Sequence, residues 1–371
     1  MLKKLTIKNL GCFNDESSSL DFTEQTLMAG PNNSGKSLFL TGVNIIRQLA
    51  LGQFSWTNNM YNLVSFNECV HNHDESRTIS VSLVVSQETQ ETTLGCEISK
   101  AGISIKINDQ PINLPPSGLP NFPPNLQNRN LLDLQRRMRF VVPPAEISGI
   151  MKQIWYVRPY RLPIQYSSNV QPTSGPLQPL NPDGSNVINY ILERWTDRDK
   201  KWDYAESWLK KIEPRMSEMK TPIRGNLVSF ETMYGEVPVN LSMQGSGFQN
   251  AAAIISALVF SPEGSTIILE EPEAFLHPPS QEVLVDLIND VVNNQKKQVI
   301  FATHSTNILL SFFRDVSHNG ARRSIEHPKA DPAKFSMWTM NYANEKISIE
   351  RYPIENKTYP QFRNDFKFIW G

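Results

Sequence analysis

Gly30-Pro31-Asn32-Asn33-Ser34-Gly35-Lys36-Ser37 is the stretch that decides how this chain reads. Its spacing is G-x-x-x-x-G-K-[ST]. It stands between an apolar run, Thr26 to Ala29, and a segment from Ser37 to Leu51 in which Leu38, Leu40, Val43, Ile46, Leu49 and Ala50 recur at helical intervals. Glycines let a backbone curl until successive N–H groups point inward, and a helix starting near Gly35 adds the positive end of its dipole, so strand, loop and helix together hold phosphate. The pattern predicts a phosphate cradle of Gly30, Asn32, Asn33, Ser34 and Gly35. Lys36 is expected to reach the β- and γ-phosphates of a nucleotide, and Ser37 to hold Mg²⁺ through its hydroxyl.

Two further apolar runs end in polar groups. Thr266 to Glu270 leads into Glu270-Glu271-Pro272-Glu273. A carboxylate at the end of a buried strand near a phosphate loop is where nucleotide-bound Mg²⁺ needs a ligand, which assigns Glu270 to the metal. Alternation along a strand turns Glu271 the other way, towards a water on the γ-phosphate side, as general base. Gln298 to Ala302 leads to His304, a candidate hydrogen-bond donor to the γ-phosphate. Lys36, Glu271 and His304 are the expected catalytic set.

Around these motifs the chain is organised in four parts. Residues 1–109 carry the phosphate loop and the runs Leu5 to Leu10, Leu20 to Phe22, Thr78 to Val85, Thr92 to Ile98 and Ile103 to Ile107, the last three reading as a meander. Residues 110–182 hold more than half of the 26 prolines, marking an insertion or linker with one helical piece, Asn130 to Arg139, and one strand, Ile154 to Val157. Residues 183–260 read as a helical lobe, Ser185 to Met219, then a strand near Asn226 to Phe230 and a helix, Phe248 to Phe260. Residues 261–371 alternate strand and helix, with a helix at Ser280 to Asn293, and close on strands Phe335 to Met340 and Lys346 to Arg351. Alternation of this kind means βαβ units on a mostly parallel sheet, an α/β fold with an antiparallel β subdomain and a helical lobe.

Composition limits the functions open to the chain. In 371 residues, Lys plus Arg (36) balance Asp plus Glu (37) to a net charge of −1, so no global positive field draws it to nucleic acid or to an anionic membrane. Three cysteines do not make a disulfide framework, the opening residues lack an uninterrupted apolar core, and the longest apolar run, Ala251 to Phe260, is too short to span a bilayer. A cytoplasmic protein that does not enter a membrane is expected. Cys69, His71 and His73 form a Cys-x-His-x-His in a polar loop without a fourth ligand. Arg136, Arg137 and Arg139, with Arg322 and Arg323, are the basic clusters open to DNA or RNA. Trp195, Trp202 and Trp208 read as packing residues of the helical lobe.

The three motifs in this order resemble the ATP-binding-cassette class of ATPase. Leu241-Ser242-Met243-Gln244-Gly245-Ser246-Gly247-Phe248-Gln249 is similar to the signature loop of that class, in which the loop binds the γ-phosphate of ATP held by the other subunit. The resemblance implies that Ser246 and Gly247 contact ATP in a second copy, and that a homodimer or higher homo-oligomer forms through ATP interfaces. Leu5 to Phe13, Pro182-Asp183-Gly184-Ser185-Asn186 and Glu270-Glu271-Pro272-Glu273-Ala274-Phe275-Leu276-His277-Pro278 resemble the RecF, SMC and OLD-type (overcoming lysogenization defect) ATPases. Departures from the pattern are informative. Glu270 stands where the class commonly has aspartate, and Gln53 is the one candidate for the glutamine loop. The proline-rich insertion excludes an SMC-type coiled-coil tether. The stretch after His304 is too short for the toprim nuclease of full OLD proteins, so a nuclease or toxin effector would act in trans. The resemblance implies a scaffold and sensor ATPase in a prokaryotic anti-phage system, using ATP and Mg²⁺. A RecF-like repair clamp that binds DNA directly is the alternative, and a transporter subunit is the third reading.

Overall fold

The computed structural model describes residues 1–51, 65–87, 90–111, 145–158, 168–169, 180, 186–196, 201–312, 333–343 and 346–353. The first stretch of the chain forms β1 (Leu2–Lys8), β2 (Ser18–Asp21), β3 (Gln25–Ala29), α1 (Lys36–Ala50), α2 (Phe66–Cys69), β4 (Ile79–Gln87), β5 (Gln90–Ser99), β6 (Gly102–Ile107), β7 (Gln110–Pro111) and α3 (Ala145–Lys152). The middle forms β8 (Ile154–Val157), β9 (Ser168–Asn169), α4 (Val187–Thr196), α5 (Lys201–Ile212), β10 (Glu218–Lys220), β11 (Ile223–Arg224), β12 (Leu227–Val228), β13 (Glu231–Tyr234) and β14 (Val237–Asn240). There follow α6 (Ser246–Phe260), β15 (Thr266–Glu270), α7 (Pro278–Gln295), β16 (Gln298–Thr303), α8 (Thr306–Ser311), β17 (Phe335–Ala343) and β18 (Lys346–Arg351). No helix among the described residues is long and apolar enough to cross a membrane. The chain divides into two compact units, one formed by Met1–Ile154 with Ser336–Ile354 and the other by Trp155–Phe335.

In the first unit an antiparallel sheet runs in the order β2-β1-β4-β5-β6-β7. Its period-2 pattern is plain in β4, where Ile79, Val81, Leu83 and Val85 are buried and the residues between them are not. The expected meander is therefore present as β4, β5 and β6. Helix α1 lies close on this sheet, because a Cβ on Gly42 would stand 2.6 Å from Ile7 Cδ1. A glycine in mid-helix gives up helix propensity, and here the return is close packing on β1. Strand β3 is buried at every position and has the hairpin of β17 and β18 on its flank, with β17 as the neighbour. Arg47 Nε ties α1 to α3 by donating to the Met151 carbonyl at 3.1 Å.

The second unit is built on the parallel pair β15 and β16, in register from Thr266↔Gln298 to Glu270↔Ala302, with β8 beside β15. Every residue of β15 and β16 is buried, as expected of strands covered on both faces. Helix α7 makes the crossover between them and begins with Pro278, which suits a first turn whose N–H groups have no helical partner. Helix α6 is buried continuously from Asn250 to Phe260. Its far end is closed by an aromatic cluster in which Phe260 packs on Tyr190 (6.3 Å between centroids) and stacks on Trp202 (6.5 Å). Trp202 and Trp208 are thus packing residues.

The expected single strand near Asn226 to Phe230 is broken up. Two three-stranded antiparallel sheets, β11-β12-β9 and β10-β13-β14, occupy that region. The physical cause is a pair of tight turns at Gly225 (φ +63°) and Gly235 (φ +64°), each reversing the chain after a few residues. The lobe read over Ser185 to Met219 is two helices, α4 and α5, and the helix read from Phe248 begins two residues earlier, at Ser246. Gln53, the helical piece Asn130 to Arg139 with its arginines, Asp183 to Ser185, Arg322, Arg323 and the side chain of Trp195 lie outside the described residues.

Candidate active site

In the first unit β3 delivers the chain into the loop that precedes α1. Gly30 is required there, since a Cβ would stand 2.3 Å from the Met340 carbonyl of β17 and 2.7 Å from Ser34 Oγ. Asn33 (φ 62°) and Gly35 (φ 88°) take left-handed conformations that curl the loop, and β18 supports it from behind, with Ile347 Cδ1 2.6 Å from where a Gly35 Cβ would be. Helix α1 begins with no side-chain cap and no acid in its first turn, so no charge of its own first turn offsets the positive end of its dipole. Lys36 is buried, and its Nζ donates to the carbonyls of Gly30 and Pro31, both at 2.7 Å, and approaches Ser34 Oγ at 3.3 Å. Asn32, Asn33 and Ser37 are exposed at the mouth, while Ser34 is buried. Sequence reading located this loop but missed its support, since Met340 and Ile347 lie some three hundred residues away and carry no motif.

In the second unit the acids sit where β15 ends. Glu270 is 5% exposed, accepts a hydrogen bond from the Tyr156 hydroxyl, and has Arg158 Nε at 3.7 Å from its Oε2. Tyr156 and Arg158 come from β8 and the residue after it, and nothing in the sequence pointed to them. Glu271 has left the strand, with φ +42° and its N–H donating to the Ala302 carbonyl at 2.8 Å. Its direction is therefore set by a left-handed residue rather than by strand alternation, which corrects the reason first given for it. The two carboxylates do face different partners, because Glu271 Oε1 lies 3.3 Å from His304 Nδ1. His304 follows directly on β16, and the structure brings Glu270, Glu271 and His304 to one end of the β15–β16 pair.

The segment resembling a signature loop sits against the acidic turn. Gly247 is pressed so near Phe275 that a Cβ would stand 2.3 Å from the Phe275 carbonyl oxygen. Asn250, one turn further along α6, donates to the carbonyls of Ala274 (2.8 Å) and Pro272 (3.3 Å). Gln249 Nε2 donates to the Gln244 carbonyl at 2.8 Å and fixes the loop that precedes the helix. Ser246 is exposed at the N-terminus of α6. Elsewhere, Cys69 is buried, and His71 and His73 each direct Nδ1 to a backbone carbonyl, of Gly11 (2.7 Å) and Asn67 (2.9 Å).

A glycine-built loop with a buried amine at its centre, an uncapped 15-residue helix behind it and no acid in the first turn fits a polyphosphate. The Ser37 hydroxyl in the first unit and the Glu270 carboxylate in the second are each an oxygen donor of the type that suits Mg²⁺, which takes few protein ligands and leans on substrate phosphates.

Comparison with known proteins agrees with this chemistry. Residues 172–309 match the family described as AAA ATPase domain. Endonuclease GajA of Bacillus cereus is 29% identical over 107 residues, which is 24% of this chain and 16% of that protein. The OLD nuclease of Thermus scotoductus is 24% identical over 351 residues, 89% of this chain and 63% of the relative. The chain thus spans less than two thirds of either relative. Among solved structures, the SMC head bound to the C-terminal winged-helix domain of ScpA superposes with a TM-score of 0.58 at 12% identity, covering 95% of this chain and 98% of that one. The second unit thus carries an AAA ATPase domain match, the chain is similar in sequence to an OLD nuclease along most of its length, and its fold is that of an SMC head.

Proposed function

We propose that this chain hydrolyses ATP with Mg²⁺, that two copies close around the nucleotide, and that the cycle acts as scaffold and sensor for a separate effector, a nuclease or toxin, in a cytoplasmic prokaryotic anti-phage system. The observation that carries the ATP reading is the loop Gly30–Ser37, where Gly30 admits no side chain and Lys36 sits buried among loop carbonyls. An ammonium whose closest partners are neutral loop carbonyls gains a stronger, charge-assisted partner when it turns to a phosphate.

Mg²⁺, if bound, would supply charge neutralisation to the phosphates; Ser37 would offer it a hydroxyl ligand, and Glu270 a carboxylate ligand. Asn32, Asn33 and Gly35 present loop N–H groups to the phosphates. Glu271 takes the proton of the attacking water, and His304 donates to the γ-phosphate. Ser246, exposed at the start of α6, and Gly247 after it offer N–H groups to ATP held by a second copy, so the working form is a homodimer or higher homo-oligomer. That an endonuclease and a nuclease stand among the relatives supports a nuclease as the effector.

The test is the mass of purified Glu271→Gln protein by light scattering, with and without ATP and Mg²⁺, alone and with a co-expressed neighbouring gene product. An ATP-dependent doubling is expected. A monomer that binds ATP and never pairs overturns the two-headed mechanism. Full phage protection by this chain alone overturns the separate effector, and ATP-dependent retention of DNA with a steep salt slope supports the RecF-like alternative instead.

A further inference from the structure

Glu273 has no part in the reading above, yet its surroundings are specific. The carboxyl is 6% exposed. Its Oε1 accepts from Thr303 Oγ1 at 2.5 Å and from the backbone N–H of His304 at 3.2 Å, while Oε2 is enclosed and meets no hydrogen-bond partner among the described residues. Thr303 Oγ1 in turn accepts from the Ser305 N–H at 2.9 Å. Ser305 Oγ caps α8 by accepting from Ile308 N–H (3.3 Å) and donates to Gln281 Oε1 of α7 at 2.8 Å. The turn after β16 is therefore tied through one carboxylate oxygen to the acidic segment after β15.

A buried carboxylate is costly, and a leucine of similar size would fill this space without that cost. Burial pushes the Glu273 carboxyl above the usual carboxylate range, against the pull of the Thr303 hydroxyl and of His304. What sets the position apart is the imidazole. His304 Nδ1 lies 3.3 Å from Glu271 Oε1 and 3.7 Å from Glu273 Oε1. One ring nitrogen is thus shared between two carboxylates two residues apart. Pro272 between them, with its fixed φ, and the left-handed Glu271 hold that spacing.

We propose that Glu273 is a positioning residue for His304. It fixes the 303–305 turn through the Thr303 hydroxyl and the His304 N–H. Its carboxylate also draws Nδ1 part of the way off Glu271, so that Glu271 is left to receive a proton from water while the opposite edge of the ring faces the transferred phosphate. This rests on the ATP-hydrolysing reading of Glu271 and His304.

The experiment compares Glu273→Gln, Thr303→Val and Thr303→Ser in steady-state ATP hydrolysis. It also records imidazole ¹⁵N spectra of the nucleotide-free proteins, with the His304 signals assigned by their loss in His304→Gln. Glu273→Gln keeps an acceptor for both donors but removes the charge. It is expected to lower kcat about 10-fold with KM within about 2-fold, and to move the His304 Nδ1 resonance. Thr303→Val is expected to change both readouts in the same direction, and Thr303→Ser to recover them. An unmoved His304 resonance in Glu273→Gln and Thr303→Val overturns the proposal, even if kcat falls, because a merely structural role lowers activity without touching the ring. If the wild type releases no phosphate from any nucleoside triphosphate, the hydrolysis reading fails. The ring resonance then still decides whether Glu273 positions His304.

Discussion

Lys297 donates its ammonium to the carbonyl of Leu258 at 2.6 Å, and also to that of Val259 at 3.0 Å, capping the C-terminal end of α6 from the residue before β16. Burial, aided by the like charge of Lys201 and opposed by Glu263, lowers this amine to about 7 from its ordinary 10.5. The unfolded chain therefore binds more protons than the folded one between these values, and stability rises with pH across that window. The locus is worth on the order of 5 kcal/mol from one end to the other. The expected result is that the gap in Tm between wild type and Lys297→Met shifts in favour of the wild type as pH rises from 7 to 9. A gap independent of pH would show that the amine is not desolvated.

Gly30→Ala and Lys36→Ala should separate folding from binding. The first places a methyl against the Met340 carbonyl, at 2.3 Å, and should lower stability by about 1–3 kcal/mol as well as abolish ATP binding. The second removes the amine that holds the Gly30 and Pro31 carbonyls, and should weaken ATP binding about 10- to 100-fold with a smaller loss of Tm than Gly30→Ala. Titration with a fluorescent ATP analogue, paired with thermal melts, checks both.

Tyr156→Phe deletes the hydroxyl that donates to Glu270 while keeping the ring. If Glu270 holds the metal, the Mg²⁺ concentration for half-maximal hydrolysis should rise about 10-fold, as expected when a partner orienting a metal ligand is lost. An unchanged Mg²⁺ dependence would count against Glu270 as the ligand.

Gly247→Ala drives a methyl into the Phe275 carbonyl and must displace the acidic turn or the start of α6. Turnover is expected to fall at least about 10-fold, with nucleotide binding by the first unit retained. Parallel measurement of phosphate release and ATP affinity tells these apart.

The parts of this molecule that could be read from sequence are those written in short-range spacing. The phosphate loop occupies eight consecutive residues, and β4 alternates strictly from Ile79 to Val85. The acid and histidine positions were legible because each ends an apolar run. What escaped notice depends on contacts between distant segments or on single dihedral angles. Tyr156 meets Glu270 across 114 residues, Met340 and Ile347 back the loop from the far end of the chain, and the left-handed turn at Glu271 cannot be inferred from strand alternation. The short antiparallel strands between Glu218 and Asn240 were missed because two to four residues carry too little periodicity, although Gly225 and Gly235 marked their turns. Lys297 carries no sequence signal for burial, and only the end of α6 beside it explains why it is inside.

Helix α6 is sealed on all sides from Asn250 to Phe260, while its first residue, Ser246, is exposed. A close-packed rod of this kind has no soft direction in which to bend. A push on Ser246 is therefore not absorbed locally but arrives at Phe260, some twenty ångströms away at about 1.5 Å per residue, as a displacement of the whole rod against Tyr190 and Trp202. Tryptophan fluorescence in the helical lobe should for that reason report events at the opposite end of the helix.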